Sequence, residues 1–270
     1  MQVNNFEPHS PILFHTDLSK IERKTLKGLN GKVNVIEGLH LKLKETFHYQ
    51  ELWFPAFNYD FTKTGMFDPL NDPIQVGAFN ESLRKSGKYT RSTVPLFSML
   101  RENATPVNQF REIIEPFGVE GDYAELRKRN GHIIFFGAAI SSLTYIHFIE
   151  SLVDIPYRYP KIFEGKLKLE SEMRRISIKY LVRPLGLSLE YDWERMHQEF
   201  KDAKIVQKTN DLGNYEIYNA RALAEFMISR YSEDIYWTLK QVSREIVEAK
   251  IEKLGRSFRL SDFESGDFSA

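Results

Sequence analysis

The sequence predicts an α/β fold with a mixed central β-sheet flanked by helices, and three observations carry that expectation. A short apolar run, Ile12-Leu13-Phe14, lies between Pro11 and the polar cluster His15-Thr16-Asp17 and reads as a buried strand that ends in a loop. A second run, Ile133 to Phe136, ends at Gly137-Ala138-Ala139 and passes into a helical pattern from about Ser141 to Val153. Strand, tight small-residue turn and helix mark the place in an open α/β sheet where active-site groups gather. After Gly165, the alternation of Leu167, Leu169, Ile176, Ile178 and Tyr180 reads as antiparallel strands.

The other elements follow in chain order. Gly28 and Gly31 mark a turn before a helix over Val33 to Phe47, where Val35, Ile36, Leu39, Leu43 and Phe47 recur at helical spacing. Leu52 to Phe57 is the next strand, and Pro55 places it near a strand end or edge. Asn58 to Pro73 is long and irregular; loops of this kind are often binding loops, so Tyr59 and Asp60 at its start are candidate substrate contacts. Helices are expected over Val76 to Arg84, Tyr123 to Arg129, Trp193 to Phe200 and from Ala220 onward, with a hairpin around Asp211-Leu212-Gly213-Asn214. Ser141 or Ser142 is the expected N-cap of the helix that follows Gly137. With no repeat and no linker, residues 1–260 read as one domain, and the polar residues 261–270 as a disordered tail.

Composition narrows the function. The 270 residues are 42% hydrophobic and 13% aromatic, enough for a sizeable core, while 27% charged residues and a mean hydropathy of −0.41 describe a soluble surface. The 37 basic residues balance 37 acidic ones, so no overall field draws in nucleic acid or an anionic bilayer; the expected partners are small molecules, with oligomeric state open. The absence of cysteine removes thiol nucleophiles, zinc-thiolate sites and disulfides together. The first residues lack the basic and apolar regions of a signal peptide, and the longest apolar run, Ile133 to Ile140, is far short of a membrane span of about 20 residues, which gives a cytoplasmic expectation.

Motif reading excludes several chemistries. There is no G-x-G-x-x-G, no G-x-x-x-x-G-K-[ST] and no G-x-S-x-G, and no histidine pair has metal-ligand spacing, so no metal is expected. His147 is the residue that stands out. Thr144, His147 and Glu150 stand three apart along one helix face, so an imidazole able to accept a proton at neutral pH neighbours a hydroxyl and a carboxylate. The same spacing also fits a core histidine on an ordinary amphipathic helix. His15 opens a polar loop and is either functional or a loop anchor, whereas His40, His48 and His197 read as structural or solvated.

Several segments together resemble the aminoglycoside 3-N-acetyltransferase family. In the family's order they are His15-Thr16-Asp17-Leu18, Phe67-Asp68-Pro69, Val76-Gly77-Ala78 with Glu81 and Arg84, and Arg91-Ser92 with Pro95 and Ser98. Ile134 to Gly137, Thr144-Tyr145-Ile146-His147-Phe148-Ile149-Glu150, and Tyr157-Arg158 with Lys161 complete the pattern, which spans roughly residues 11 to 230. The resemblance implies the family's three-layer fold and direct transfer of acetyl from acetyl-CoA to a sugar amine. His147 would be the catalytic base, Thr144 would stabilise the oxyanion or the leaving thiolate, and Glu150 would either orient the imidazole or satisfy a neighbour. By the same resemblance, Thr16, Asp17, Leu18, Arg91, Ser92 and Ser98 would contact coenzyme A.

The sequence departs from the family pattern at three places. Thr16-Asp17 replaces two serines, Gly121-Asp122-Tyr123 replaces Gly-Ser-Pro, and Lys179-Tyr180-Leu181-Val182-Arg183 stands where resistance-type members are acidic. Arg158 and Arg183 are therefore expected to contact substrate and to suit a phosphate or carboxylate better than a polycation. Asp192 is a candidate substrate-binding acid, although helix capping is the simpler account. The leading expectation is acetylation of an amino sugar, nucleotide-linked sugars for surface polysaccharide included. The alternatives are an aminoglycoside-inactivating enzyme conferring antibiotic resistance and a non-catalytic member that binds coenzyme A or sugar.

Overall fold

The computed structural model describes residues 6–21, 35–102, 112–209 and 215–264. Its strands, in chain order, are β1 (Pro11–Thr16), β2 (Glu51–Pro55), β3 (Met66–Phe67), β4 (Tyr89–Arg91), β5 (Met99–Glu102), β6 (Ile113–Ile114), β7 (His132–Phe136), β8 (Tyr159–Leu169), β9 (Glu172–Val182), β10 (Val206–Thr209) and β11 (Tyr215–Asn219). The helices are α1 (Val35–Thr46), α2 (Phe61–Thr64), α3 (Ala78–Lys85), α4 (Asp122–Lys128), α5 (Tyr145–Leu152), α6 (Trp193–Asp202), α7 (Ala220–Glu233) and α8 (Gln241–Leu254).

Seven strands form the main sheet in the order β10-β11-β7-β1-β2-β5-β4. β1 pairs in parallel with β2 on one side and β7 on the other, and antiparallel strands extend the sheet beyond both. Parallel strands buried on both faces read as near-continuous apolar runs, which is why Ile12-Leu13-Phe14 and Ile133 to Phe136 stood out in the sequence. Their alternate residues serve two cores. Ile12, Phe14, Leu52, Phe54, Ile134 and Phe136 pack with Leu39 and Leu43 of α1 and Phe79 and Leu83 of α3. Leu13, Trp53, Ile133 and Phe135 pack with Leu126 of α4, Ile149 of α5, Met196 of α6, Leu223 of α7 and Val247 of α8. Helix, sheet and helix thus make three layers, in agreement with the fold the sequence predicts.

Several details differ from expectation. The alternation after Gly165 belongs to a hairpin of two 11-residue strands, β8 and β9, but this hairpin lies in a separate four-stranded sheet of order β3-β8-β9-β6. The segment Asn58 to Pro73 is not wholly irregular, since it holds α2 and β3. Strands β4, β5 and β6 are additions that the sequence reading did not contain. Helix α5 starts at Tyr145 with Thr144 in the N-cap position, because Ile140–Ser142 closes a 3-10 turn in which Ser142 N–H and hydroxyl both donate to the Ala139 carbonyl. Of the tail expected from Ser261, the first residues are placed: Leu260–Asp262 forms a 3-10 turn, and Glu264 accepts a 2.9 Å bond from the Tyr159 hydroxyl. The turn at Gly28 and Gly31, the helix start at Val33, the loop 211–214 and residues 265–270 lie outside the described residues; β10 and β11 on either side of that loop are antiparallel, as a hairpin requires. Among the described residues no helix is long and apolar enough to cross a membrane.

The carboxyl ends of β1, β2 and β7 meet at one edge of the sheet, and two residues fix how they meet. Asn80 of α3 donates from Nδ2 to the carbonyls of Pro55 (2.8 Å) and Val76 (3.1 Å), while its Oδ1 accepts from the Thr16 hydroxyl (3.2 Å). Gly137, at φ +73°, crosses directly under Asp17, where any Cβ would collide with the Asp17 carbonyl oxygen. Glycine supplies both the left-handed backbone and the clearance.

Candidate active site

A cleft of about 800 Å³ opens over these strand ends. Its volume lies in the range of small-molecule sites, roughly 300–1,000 Å³, and its place at the carboxyl ends of parallel strands is where α/β sheets bind ligands. Of the residues singled out by sequence, Thr16, Asp17, Leu18, Tyr59, Thr144, His147 and Arg183 line it.

The histidine is organised from behind. His147 sits one turn into α5, and its Nδ1 lies 3.1 Å from Oε2 of Glu150, one turn further on. Glu150 is fully buried, with the Arg158 guanidinium Nε 3.0 Å from the same oxygen. Its other oxygen accepts from the Tyr191 hydroxyl at 2.5 Å and from the Tyr157 hydroxyl at 3.4 Å. Arg158 in turn donates to the Tyr191 hydroxyl. Burial alone would raise the Glu150 pKa, but Arg158 and the bonds from His147 and Tyr191 outweigh it and hold the carboxyl below its ordinary value. Burial and Arg158 together push the His147 pKa below 6.5, with Glu150 opposing only in part. A neutral imidazole beside a carboxylate must donate from Nδ1, which leaves the Nε2 lone pair as its proton acceptor. Thr144, one turn before His147, has its hydroxyl 3.3 Å from the Ser142 carbonyl and within reach of the buried Tyr123 hydroxyl.

Other expected site residues stand elsewhere. Arg158 is buried behind His147 and does not line the cleft, so its guanidinium serves Glu150 rather than a substrate. Arg91 is also buried: its Nε donates to Ser98 Oγ at 2.9 Å, and its terminal nitrogens donate to the carbonyls of Asp72 (2.6 Å) and Ala56 (2.5 Å). Ser98 donates to the same Ala56 carbonyl at 2.6 Å, and Ser92 Oγ accepts from Met99 N–H at 3.0 Å. These three residues tie β2, β4 and β5 to the loop before α3 and have no face on the cleft. Asp192 caps α6 by accepting from Arg195 N–H at 3.1 Å, and Asp60 stands at the start of α2 outside the lining. Asp17 lines the cleft, but its carboxylate is occupied by the Ser19 hydroxyl at 2.6 Å and the Ser19 N–H at 3.0 Å, which hold its pKa down.

The structure adds residues that the motif reading passed over. Asn80 locks Thr16 in place, and Tyr191 reaches Glu150 from a segment 41 residues further along the chain. Tyr191 and Trp193 form an aromatic wall of the cleft with ring centroids 5.2 Å apart. His15 stacks on Phe135 at 5.0 Å, and burial lowers its pKa to about 4, so it is a neutral part of the cleft wall. Among the described residues no group of three or more His, Cys, Asp or Glu side chains could hold a metal ion.

Comparison with known proteins decides the family. The model of the aminoglycoside 3-N-acetyltransferase family matches residues 38–232, well over half of the chain. The chain belongs to this family. An aminoglycoside 3-N-acetyltransferase is an acyltransferase, and the matched span contains Thr144, His147, Glu150 and Arg158. It begins after β1, so Thr16, Asp17 and Leu18 lie before it. Solved structures share the fold at low identity. The apoenzyme of aminoglycoside acetyltransferase AAC(3)-IVa superposes with a TM-score of 0.63 and 15% identity, covering 87% of this chain and 86% of that one. AAC-IIIb in its binary complex with CoASH gives 0.67 and 16%, covering 85% and 92%. The YokD protein from Bacillus subtilis gives 0.62 and 16%, covering 83% and 87%. No curated protein sequence matches the chain.

Proposed function

We propose that this aminoglycoside 3-N-acetyltransferase family member moves the acetyl group of acetyl-CoA directly onto an amine of an amino sugar, with His147 as general base. The observation that carries the reading is the Glu150 carboxylate, held ionised by Arg158 and bonded to Nδ1 of His147, a residue that lines the cleft, so that Nε2 is the nitrogen left to accept a proton. The amine nitrogen attacks the thioester carbonyl carbon while Nε2 takes its proton. The carbon–sulfur bond then breaks, and the same proton passes to the departing thiolate, giving amide and free thiol. The Thr144 hydroxyl, which lines the cleft and makes a long 3.3 Å bond to the Ser142 carbonyl, would turn to donate to the oxyanion or to the thiolate. Holding both reactants in one cleft supplies much of the acceleration, and with no cysteine in the chain no thiol acyl-enzyme is required.

The donor fits the cleft chemically. Main-chain groups of the turn Leu18–Lys20 and the small residues Gly77, Ala78, Ala138 and Ala139 leave room for a long, polar, flexible molecule. CoASH in the similar AAC-IIIb structure supports the same donor here. The acceptor reading includes nucleotide-linked amino sugars such as those built into surface polysaccharide. Aminoglycoside inactivation is the second reading, supported by similar structures of AAC(3)-IVa with a gentamicin and with apramycin and of AAC-VIa with sisomicin.

Thiol release from acetyl-CoA tests the mechanism. His147→Ala is expected to lower kcat by about 10²- to 10⁴-fold, the usual contribution of a positioned base. A rate within threefold of wild type would remove His147 from the chemistry. Because the base acts unprotonated and its pKa is depressed, the rate is expected to hold down to pH 6.5 and to fall only as the pH drops through that lowered value.

A further inference from the structure

The charges around the cleft say what kind of acceptor fits, given that the protein transfers acetyl to an amine as proposed above. The cleft is lined by one acid, Asp17, and two permanent cations, Lys20 and Arg183. Asp17 accepts from Ser19 on Oδ1, and its Oδ2 faces Lys20, 3.6 Å away. Glu150 stands behind His147 and is matched by Arg158. Among the described residues of the cleft Asp17 is thus the one lining carboxylate, already paired with a lysine, whereas several ammonium groups of a polycation call for several lining acids.

Arg183 presents the opposite case. It follows β9, and among the described residues no carboxylate forms an ion pair with it. Its guanidinium lies over the face of Tyr191, 5.6 Å from the ring centroid, on the aromatic wall that Trp193 continues. A planar cation stacked on an aromatic ring keeps its N–H fork free for a two-point bond to a carboxylate or phosphate. Tyr191 also bonds Glu150, so the platform that orients Arg183 is joined to the group that orients the base. The Arg183 field also weakens that base, a cost that an anion bound at the guanidinium would cancel.

We propose that Arg183 is a specificity-determining residue that binds a negative group on the acceptor, phosphate or carboxylate, while the acceptor amine meets His147. The preferred acceptor is then an acidic amino sugar or a phosphate-bearing one, and a polycation is disfavoured.

The experiment measures thiol release from acetyl-CoA by wild type, Arg183→Ala and Arg183→Lys. Four acceptors are compared: glucosamine 6-phosphate, 2-amino-2-deoxyglucuronic acid, methyl glucosaminide and sisomicin. In wild type, kcat/KM for at least one acidic acceptor is expected to exceed that for methyl glucosaminide at least tenfold, and the better of the two identifies phosphate or carboxylate. Arg183→Ala is expected to cut that ratio at least tenfold, and Arg183→Lys to restore part of it. Three outcomes would overturn the proposal: sisomicin or methyl glucosaminide as the best acceptor, a ratio unchanged in Arg183→Ala, or a variant whose only defect is a raised KM for acetyl-CoA, which would assign the guanidinium to the donor's phosphates. Release of no thiol with any of the four overturns the acetyl-transfer reading itself.

Discussion

Two arginines are buried among the described residues, and their guanidinium groups are satisfied in different ways. Arg91, under the loop before α3, is surrounded by the carbonyls of Ala56 and Asp72 and the Ser98 hydroxyl, and burial draws its pKa down to about 10. Arg158, behind the cleft, meets the same desolvation, but Glu150 and Tyr191 more than offset it and raise its pKa. Neutral oxygens satisfy a guanidinium as a hydrogen-bond donor and spread its influence no further. A carboxylate partner is itself fixed in its charged form, and through Glu150 that charge reaches the imidazole of His147. One arginine therefore builds the scaffold, and the other sets the electrostatics of the site.

The strongest way to break that contrast is Glu150→Gln. Without the carboxylate His147 loses its orienting anion, and kcat is expected to fall by up to about 10⁴-fold, the loss typical of a base histidine deprived of its carboxylate partner. Glu150 holds the His147 pKa up, whereas burial and Arg158 hold it down, so the acid limb of the pH–rate profile is expected to move to lower pH. Arg158 would be left as an unpaired buried charge, and urea denaturation is expected to show a loss of about 3–5 kcal/mol. An unaltered pH profile would reduce the pair to a structural one.

Arg91→Met sharpens the other side. The carbonyls of Ala56 and Asp72 and the Ser98 hydroxyl would lose a donor or partner, for an expected destabilisation of about 2–4 kcal/mol. The KM for acetyl-CoA, measured well below the melting temperature, is expected to stay within twofold. A tenfold rise would return Arg91 to the cofactor role that family resemblance assigns it. The smallest effect is expected of Asp192→Ala, which removes a helix cap worth about 1 kcal/mol and should leave kcat/KM for the acceptor unchanged.

What the sequence revealed depended on distance along the chain. His147 and Glu150 are three residues apart on one helix, so their pairing followed from helical geometry. Arg158 and Tyr191 join them only after the chain has left α5 and returned, and no local spacing encodes that meeting. The buried strands β1 and β7 were visible as apolar runs, while β4, with three residues, and β3 and β6, with two each, are too short to show a period. Ser141 and Ser142 look like helix caps because of their residue type, yet Ser142 spends its hydroxyl on closing the preceding turn. Arg91 kept its place in the motif order, but residue order carries no information about burial.

The crossing of Gly137 beneath Asp17, with Asn80 holding Thr16 and the Pro55 carbonyl beside it, makes the meeting of the strand ends largely a matter of main chain. A surface of that kind keeps its contour whichever side chains project above it. The same chain trace can then persist while most side chains change, as it does in folds only 15–16% identical to this one.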